Sequence, residues 1–225
     1  MTAELPPLTT TDRSRVRRVP ARASDDRAAA YAILDEGRVA HVGLVEDGSP
    51  IVIPMAYGRD GDDLLLHGSR ASRMARTLAA GAPVCVTVTL LDGMVLARSA
   101  FHHSMNYRSV VVLGTATPVV GEDAERAALD ALVDHLVRGR SAEARPASRS
   151  ELRQTMVLRV PVVEASVKVR CGGPVDDEDD LTLPVWAGHV PLRLVAGEPV
   201  PAAGLVDGAL RPAAFADGMR GVLAP

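Results

Sequence analysis

The sequence predicts a mainly β protein, an antiparallel barrel or sandwich with a few flanking helices, and three observations predict it. Short apolar runs follow one another from residue 38 to residue 117 with little helix between them. Asp47-Gly48, Asp60-Gly61 and Asp92-Gly93 separate these runs, and Asp-Gly is a strong local signal for a tight hairpin. A doubly wound parallel sheet needs helices between all its strands, and the first half of the chain offers only a single one there.

Taken in order, residues 1–23 are Pro, Thr and Arg without periodicity and read as a flexible leader. No apolar signal core follows its arginines at 13, 15, 17, 18 and 22. Ser24 ahead of Asp25 and Asp26 is a helix-start pattern with acids in the first turn. That helix carries Ala28, Tyr31 and Leu34 on one face and stops at Gly37. Strands follow over 38–45, 51–57 and 64–67, then a short helix over 69–80 ended by Gly81. Residues 84–91 and 95–99 read as a hairpin across Asp92-Gly93, and 107–117 as the next strand. An amphipathic helix over 122–137 has Ala128, Leu132 and Leu136 on one side. Pro146 lies in a linker, Ser150 caps a turn, and the later strands are 156–160 and 166–170. Residues 176–180 form an acidic loop and 201–225 a loose tail, which leaves one domain over 24–200.

Composition narrows the function. Aromatics are scarce, with one Trp, three Tyr and two Phe, so the core must be built from Val, Leu, Ile and Ala. A net charge of −3 argues against a nucleic-acid binder, which needs cations to displace counterions from phosphates. Two cysteines make no disulfide framework, and no run approaches the roughly 20 apolar residues of a membrane helix. A cytoplasmic protein is expected. Neither a P-loop, a Gly-x-Gly-x-x-Gly turn nor a Gly-x-Ser-x-Gly elbow occurs, and the histidines and cysteines show no metal-ligand spacing. Residues 84–91 and 110–113 are apolar on both faces, so the outer face must pack on a helix or a second subunit.

Two segments carry polar groups where chemistry needs them. Residues 66–74 leave a strand at His67, turn at Gly68 and enter a helix through Ser69, Arg70, Ser72 and Arg73. Unpaired N–H groups, hydroxyls and a guanidinium suit a phosphate; the alternative is an ordinary serine cap beside two surface arginines. Residues 101–110 cluster His102, His103, Asn106, Arg108 and Ser109 ahead of a very apolar strand, and such groups need partners. A barrel-rim loop with satisfied side chains reads equally well.

These elements together resemble the FMN-binding split barrels of the pyridoxamine 5′-phosphate oxidase-like family. The nearest branch is the flavin-nucleotide-binding one related to nitroimidazole-resistance reductases. The likeness rests on the strand–Gly–Ser-x-x-Ser-Arg–helix element, Pro83, and the stretch from Arg108 to Gly114, and covers residues 25–200. It implies a split barrel of six or more antiparallel strands and a homodimer holding FMN at its interface. Ser72 and Arg73, with Ser69 beside them, match the phosphate pair, although Met74 stands where a lysine is usual. Arg108 and Ser109, with Asn106 near them, match residues that contact the flavin. Met55 and Tyr57 would wall the ring, and Trp186 and Arg193 would reach it from the neighbouring subunit. His67 stands where that branch has a substrate-side histidine, the one catalytic candidate. Residues 51–57 contain no lysine, so pyridoxamine phosphate is not the expected substrate. The expected activity is two-electron transfer from NADH or NADPH to a small molecule. The alternatives are a non-catalytic flavin-binding or sensor protein, or a relative using haem or a deazaflavin.

Overall fold

In the computed structural model, which describes residues 6–206, 208–209 and 211–213, two of the three Asp-Gly pairs make turns. Asp47 and Gly48 both take positive φ, 49° and 75°, as a primed hairpin turn requires. They join β2 (Val39–Glu46) to β3 (Ser49–Asp60), and Gly61 at φ 58° joins β3 to β4 (Asp63–Ser69). The third pair does not turn. Asp92-Gly93 lies inside one long strand, β5 (Pro83–Leu96), as a bulge against β6 (Ser104–Thr115). The hairpin expected there is absent because Gly93 serves closeness instead: a Cβ on it would meet the Val190 carbonyl oxygen at 2.8 Å. That carbonyl belongs to β10 (Gly188–Pro191), which pairs with this end of β5.

The remaining elements are β1 (Ala23–Ser24), α1 (Arg27–Glu36), α2 (Arg73–Ala79), β7 (Thr117–Pro118), α3 (Glu122–Leu136), α4 (Arg140–Glu143), α5 (Arg149–Gln154), β8 (Thr155–Pro161) and β9 (Glu164–Arg170). The strand order is β1-β9-β6-β5-β2-β3-β4-β8-β7, with β10 off this path. β3 pairs with β2 up to Ala56 and with β4 from Tyr57, so it carries the chain from one sheet into the other. Consecutive strands β8 and β9 lie second from the opposite ends of that order, yet Leu158, Val160, Ala165 and Val167 share one core. The result is the expected split barrel, open between β8 and β9.

Its core is aliphatic, with Val42, Leu64, Leu66, Val86, Val88, Val110 and Val112 pointing inward from successive strands. α1 covers one mouth with Ala30, Tyr31, Ile33 and Leu34; Ala28, expected on that face, is exposed, and Asp26 rather than Ser24 caps the helix. α3 packs outside on Leu65 and Val157 through Ala128 and Leu132. Ser148, not Ser150, starts α5 with a reciprocal capping box to Glu151.

The leader is anchored to the barrel by residues 8–13, while residues 17–21 are exposed. Leu8 is 4% exposed in the main core, its N–H donates to the Asp25 carbonyl, and Thr9 bridges to Glu164. Thr11 donates to Glu164, and Arg13 grips the same carboxylate through Nε at 2.8 Å and Nη2 at 2.5 Å. The anchor, Glu164, lies 151 residues from Arg13, out of reach of any local pattern. Residues 201–206 form no helix or strand, and residues 207, 210 and 214–225 of the expected tail lie outside the described residues.

Candidate functional site

The expected site residues fall into several places, sorted by the face of the strand that carries them. On β3, Met55 and Tyr57 point inward, opposite Ala40 and Leu66. Tyr57 is 0% exposed, its hydroxyl donates to the Leu34 carbonyl, and burial raises its pKa. Met55 packs against the core. Tyr57 is thus committed to the core, whereas Met55 is only partly buried. The outward residues of that strand are Val52 and Pro54, one position out of step, and in a strand one step reverses the face.

β4 divides the next group. Gly68 faces α2, where a Cβ would sit 3.5 Å from Ser72 Oγ. Ser72 caps α2 by accepting the Ala75 N–H, and Ser69 accepts the Ala71 N–H at the same turn. Arg73 is 70% exposed and holds Glu46 through Nε at 2.7 Å. Arg70 turns away and pairs with Glu125 on α3. His67, one residue from Gly68 and so on the opposite face, lines a cavity of about 330 Å³ between β4 and α3. Leu129, Leu132, Val133 and Leu136 form its aliphatic wall, with Arg145 and Glu151 also lining it. His67 Nδ1 is buried and has no hydrogen-bond partner among the described residues. The structure therefore brings Ser69, Ser72 and Arg73 together and sets His67 apart from them.

The segment before β6 scatters in the same way. Asn106 is buried, accepting from Arg170 and donating to the Gly172 carbonyl at 3.1 Å, which commits its amide to holding that loop. Ser109 is half-buried and donates to the Lys168 carbonyl at 3.4 Å. Arg108 points to the barrel mouth, where Asp92 and Glu36 clamp its guanidinium with N–O distances of 2.5–3.0 Å. These bonds, to Asp92 first and then Glu36, hold its pKa well above the ordinary arginine range. Arg193 lines the same cleft of about 740 Å³ as Arg108, Asp92 and Glu36. Trp186 is 65% exposed with its ring over Gly188, where a Cβ would meet it at 2.9 Å.

Glu36 and Asp92 escaped the sequence reading because they lie 72 and 16 residues from the arginine they hold. The cavity wall left a fainter trace: Leu132 and Leu136 belong to the apolar stripe of the expected helix, but the stripe alone does not say that a histidine faces it.

Comparison with known proteins is informative at this point. The family model for pyridoxamine 5′-phosphate oxidase matches residues 26–169. The chain belongs to that family. Among solved structures, the flavocytochrome Anf3 from Azotobacter vinelandii is 38% identical, over 92% of this chain and 96% of that one, with a TM-score of 0.86. The FAD and haem binding protein from Mycobacterium smegmatis is 40% identical, over 91% of this chain and 100% of that one, with a TM-score of 0.85. A proposed 5-nitroimidazole antibiotic resistance protein from Bacteroides thetaiotaomicron is 26% identical over 65% of this chain and 86% of that one, with a TM-score of 0.56. A search among curated proteins gave no match. Among the described residues, no helix is long and apolar enough to cross a membrane.

Proposed function

We propose that this member of the pyridoxamine 5′-phosphate oxidase family is a flavin- and haem-binding oxidoreductase, a cytoplasmic homodimer moving electrons from a reduced nicotinamide-type donor to a small molecule. When bound, the two groups supply the redox chemistry, two-electron at a flavin and one-electron at a haem iron.

The observation that carries this reading is His67. A buried ring nitrogen without a partner costs about 1–3 kcal/mol, which contact with a bound group offsets. A single imidazole does not hold a bare metal ion, which needs three or four ligands; it does hold an iron that arrives with four porphyrin nitrogens. The leucines of α3 offer an apolar face to the macrocycle, while Arg145 on the same cavity is held by Glu151 through Nη1 at 3.1 Å and Nη2 at 2.8 Å. The names of the two full-length relatives agree with this chemistry.

The flavin half rests on Ser69, Ser72 and Arg73. While Ser72 Oγ accepts the Ala75 N–H it keeps its own proton to donate to a phosphate oxygen, and Arg73, although paired with Glu46 through Nε, is largely exposed and can turn its Nη groups to the same phosphate. These residues would hold the phosphate of FMN, or of the FMN portion of FAD. The outward positions Val52 and Pro54 on β3 would take the ring in place of Met55 and Tyr57. Because the turn and His67 lie on opposite faces of β4, one strand would separate the two groups.

An absorption spectrum of the purified protein tests the proposal, with extraction of the flavin to tell FMN from FAD. Flavin bands together with a Soret band are expected. Flavin alone would leave a single-cofactor oxidoreductase or sensor, and an absence of both would overturn the reading.

A further inference from the structure

The cleft beside Arg108 is the largest cavity described above, and the fold leaves it open in a specific way. β5 pairs with β2 through Thr87 and with β10 from Gly93 onward. Residues 88–91 run between those partners with no strand on that edge, and Thr89, Leu90 and Leu91 line the cleft there. Main-chain N–H and C=O groups along this stretch are therefore available to a ligand's hydrogen-bonding edge. Below them stand two carboxylates in fixed positions. Each oxygen of Asp92 and Glu36 accepts one N–H from Arg108 and retains a lone pair, and the trio carries a net charge of −1. Across the cleft, Arg193 is exposed and makes no ion pair among the described residues, with Leu192 and Leu194 on either side of it.

We propose that this cleft binds a nucleoside 5′-phosphate group. The base would lie between the leucines with its edge on the open stretch of β5. The ribose hydroxyls would donate to Asp92 and Glu36, and Arg193 would hold the phosphate. A cavity of about 740 Å³ is ample for such a group. Arg108 then acts as a positioning residue that fixes two acceptors, not as a contact of the flavin ring. The adenylate half of a nicotinamide dinucleotide donor carries this chemistry. The adenylate arm of an FAD held at Ser72 and Arg73 does not reach the cleft, because its two phosphates share one oxygen while Arg193 lies at the far end of β5 from Val84 and Glu46. The inference deepens the proposed function by giving the donor a place, and it rests on that reading only for the identity of the nucleotide.

Calorimetric titration of AMP and of adenosine tests it, on the protein as purified and after its flavin is exchanged for FMN. AMP is expected to bind the FMN-loaded form. Arg193→Ala should weaken AMP about tenfold and leave adenosine unchanged, since a charge-assisted contact is worth about that much. Asp92→Asn should weaken both. Competition by NADH against AMP assigns the site to the donor, and AMP binding that NADH leaves unchanged overturns that assignment. No AMP binding in either form, or equal AMP affinity in Arg193→Ala, overturns the proposal. Arg193 is exposed, so its variant stays readable if Asp92→Asn fails to fold. These affinities do not depend on a Soret band, so this inference and the haem assignment fail separately.

Discussion

At His67 the protein buries a ring nitrogen with no hydrogen-bond partner among the described residues, beside a cavity that Leu129, Leu132 and Leu136 also line. At Arg108 it satisfies a guanidinium from two sides with Asp92 and Glu36. One site has an unused donor or acceptor in an apolar surrounding; the other has its cation saturated and acceptor lone pairs to spare. The difference teaches what each can receive. An apolar cavity with one free nitrogen suits a large hydrophobic group with a Lewis-acidic centre, and an acceptor-rich cleft suits a polyhydroxylated ligand.

The sharpest way to break this contrast is to exchange its centres. His67→Ala should lower haem retention by about a hundredfold or more, because the imidazole is the single iron ligand assigned to the cavity. Arg108→Met should leave the Soret band as it was. Flavin content should persist in His67→Ala, since Ser72 and Arg73 face the other side of β4. An unchanged Soret band in His67→Ala removes the histidine from the haem site.

The walls come next. Leu132 is buried against Leu65 and Val157, while Leu91 in the cleft is nearly half exposed. Leu132→Ala should cost about 2 kcal/mol of unfolding free energy, the low end for such a truncation because a cavity already adjoins it. Leu91→Ala should stay within about 0.5 kcal/mol. Chemical denaturation measures both, and equal costs would mean that the two hollows are the same kind of surface.

Much of the frame is legible from sequence because its signals are local. Asp47-Gly48 and Asp60-Gly61 meet the positive-φ demand of their turns within two residues, and Ser72 caps a helix three residues away. Asp92-Gly93 carries the same letters but answers to β10, a strand almost a hundred residues later that needs a residue without a side chain. The faces of β3 were open to error for a related reason. Residues 51–57 are apolar at nearly every position, so alternation does not say which set is inward until Tyr57 finds the Leu34 carbonyl. At the candidate site, the phosphate turn was readable and the partners of Arg108 and the surroundings of His67 were not, since both are assembled across the barrel.

A smaller effect separates the two arginines of the turn. Arg73→Ala should weaken flavin retention about tenfold, the worth of one charge-assisted phosphate contact. Arg70→Ala should do little, because Arg70 is turned toward Glu125 on the α3 side of β4. Dialysis of the two variants side by side reads the difference, and equal flavin loss would move the phosphate away from Arg73.

The smallest expected effect is a pH dependence that the cavity side has and the cleft does not share. His135 lies on α3 one turn beyond Leu132, donates Nε2–H to the Gly37 carbonyl at 2.8 Å, and leans on the Tyr57 ring at 4.7 Å. Burial lowers its pKa below the ordinary 6.5, with Arg38 and Arg59 adding to the fall while the Gly37 carbonyl and Asp35 oppose it. The native state therefore binds fewer protons than the unfolded chain just below that value. The stabilisation is complete above about pH 6.5 and declines as the pH drops through and below it. Glu164, held at about 2 by Arg13 and Thr11, stays ionised throughout this window and contributes no slope. His135→Gln keeps an N–H for Gly37 but has nothing to titrate, so its melting temperature should fall less than the parent's between pH 7.5 and 5.5. Parallel melting curves for the two proteins over that range would place the proton elsewhere and leave His135 as a packing residue of α3.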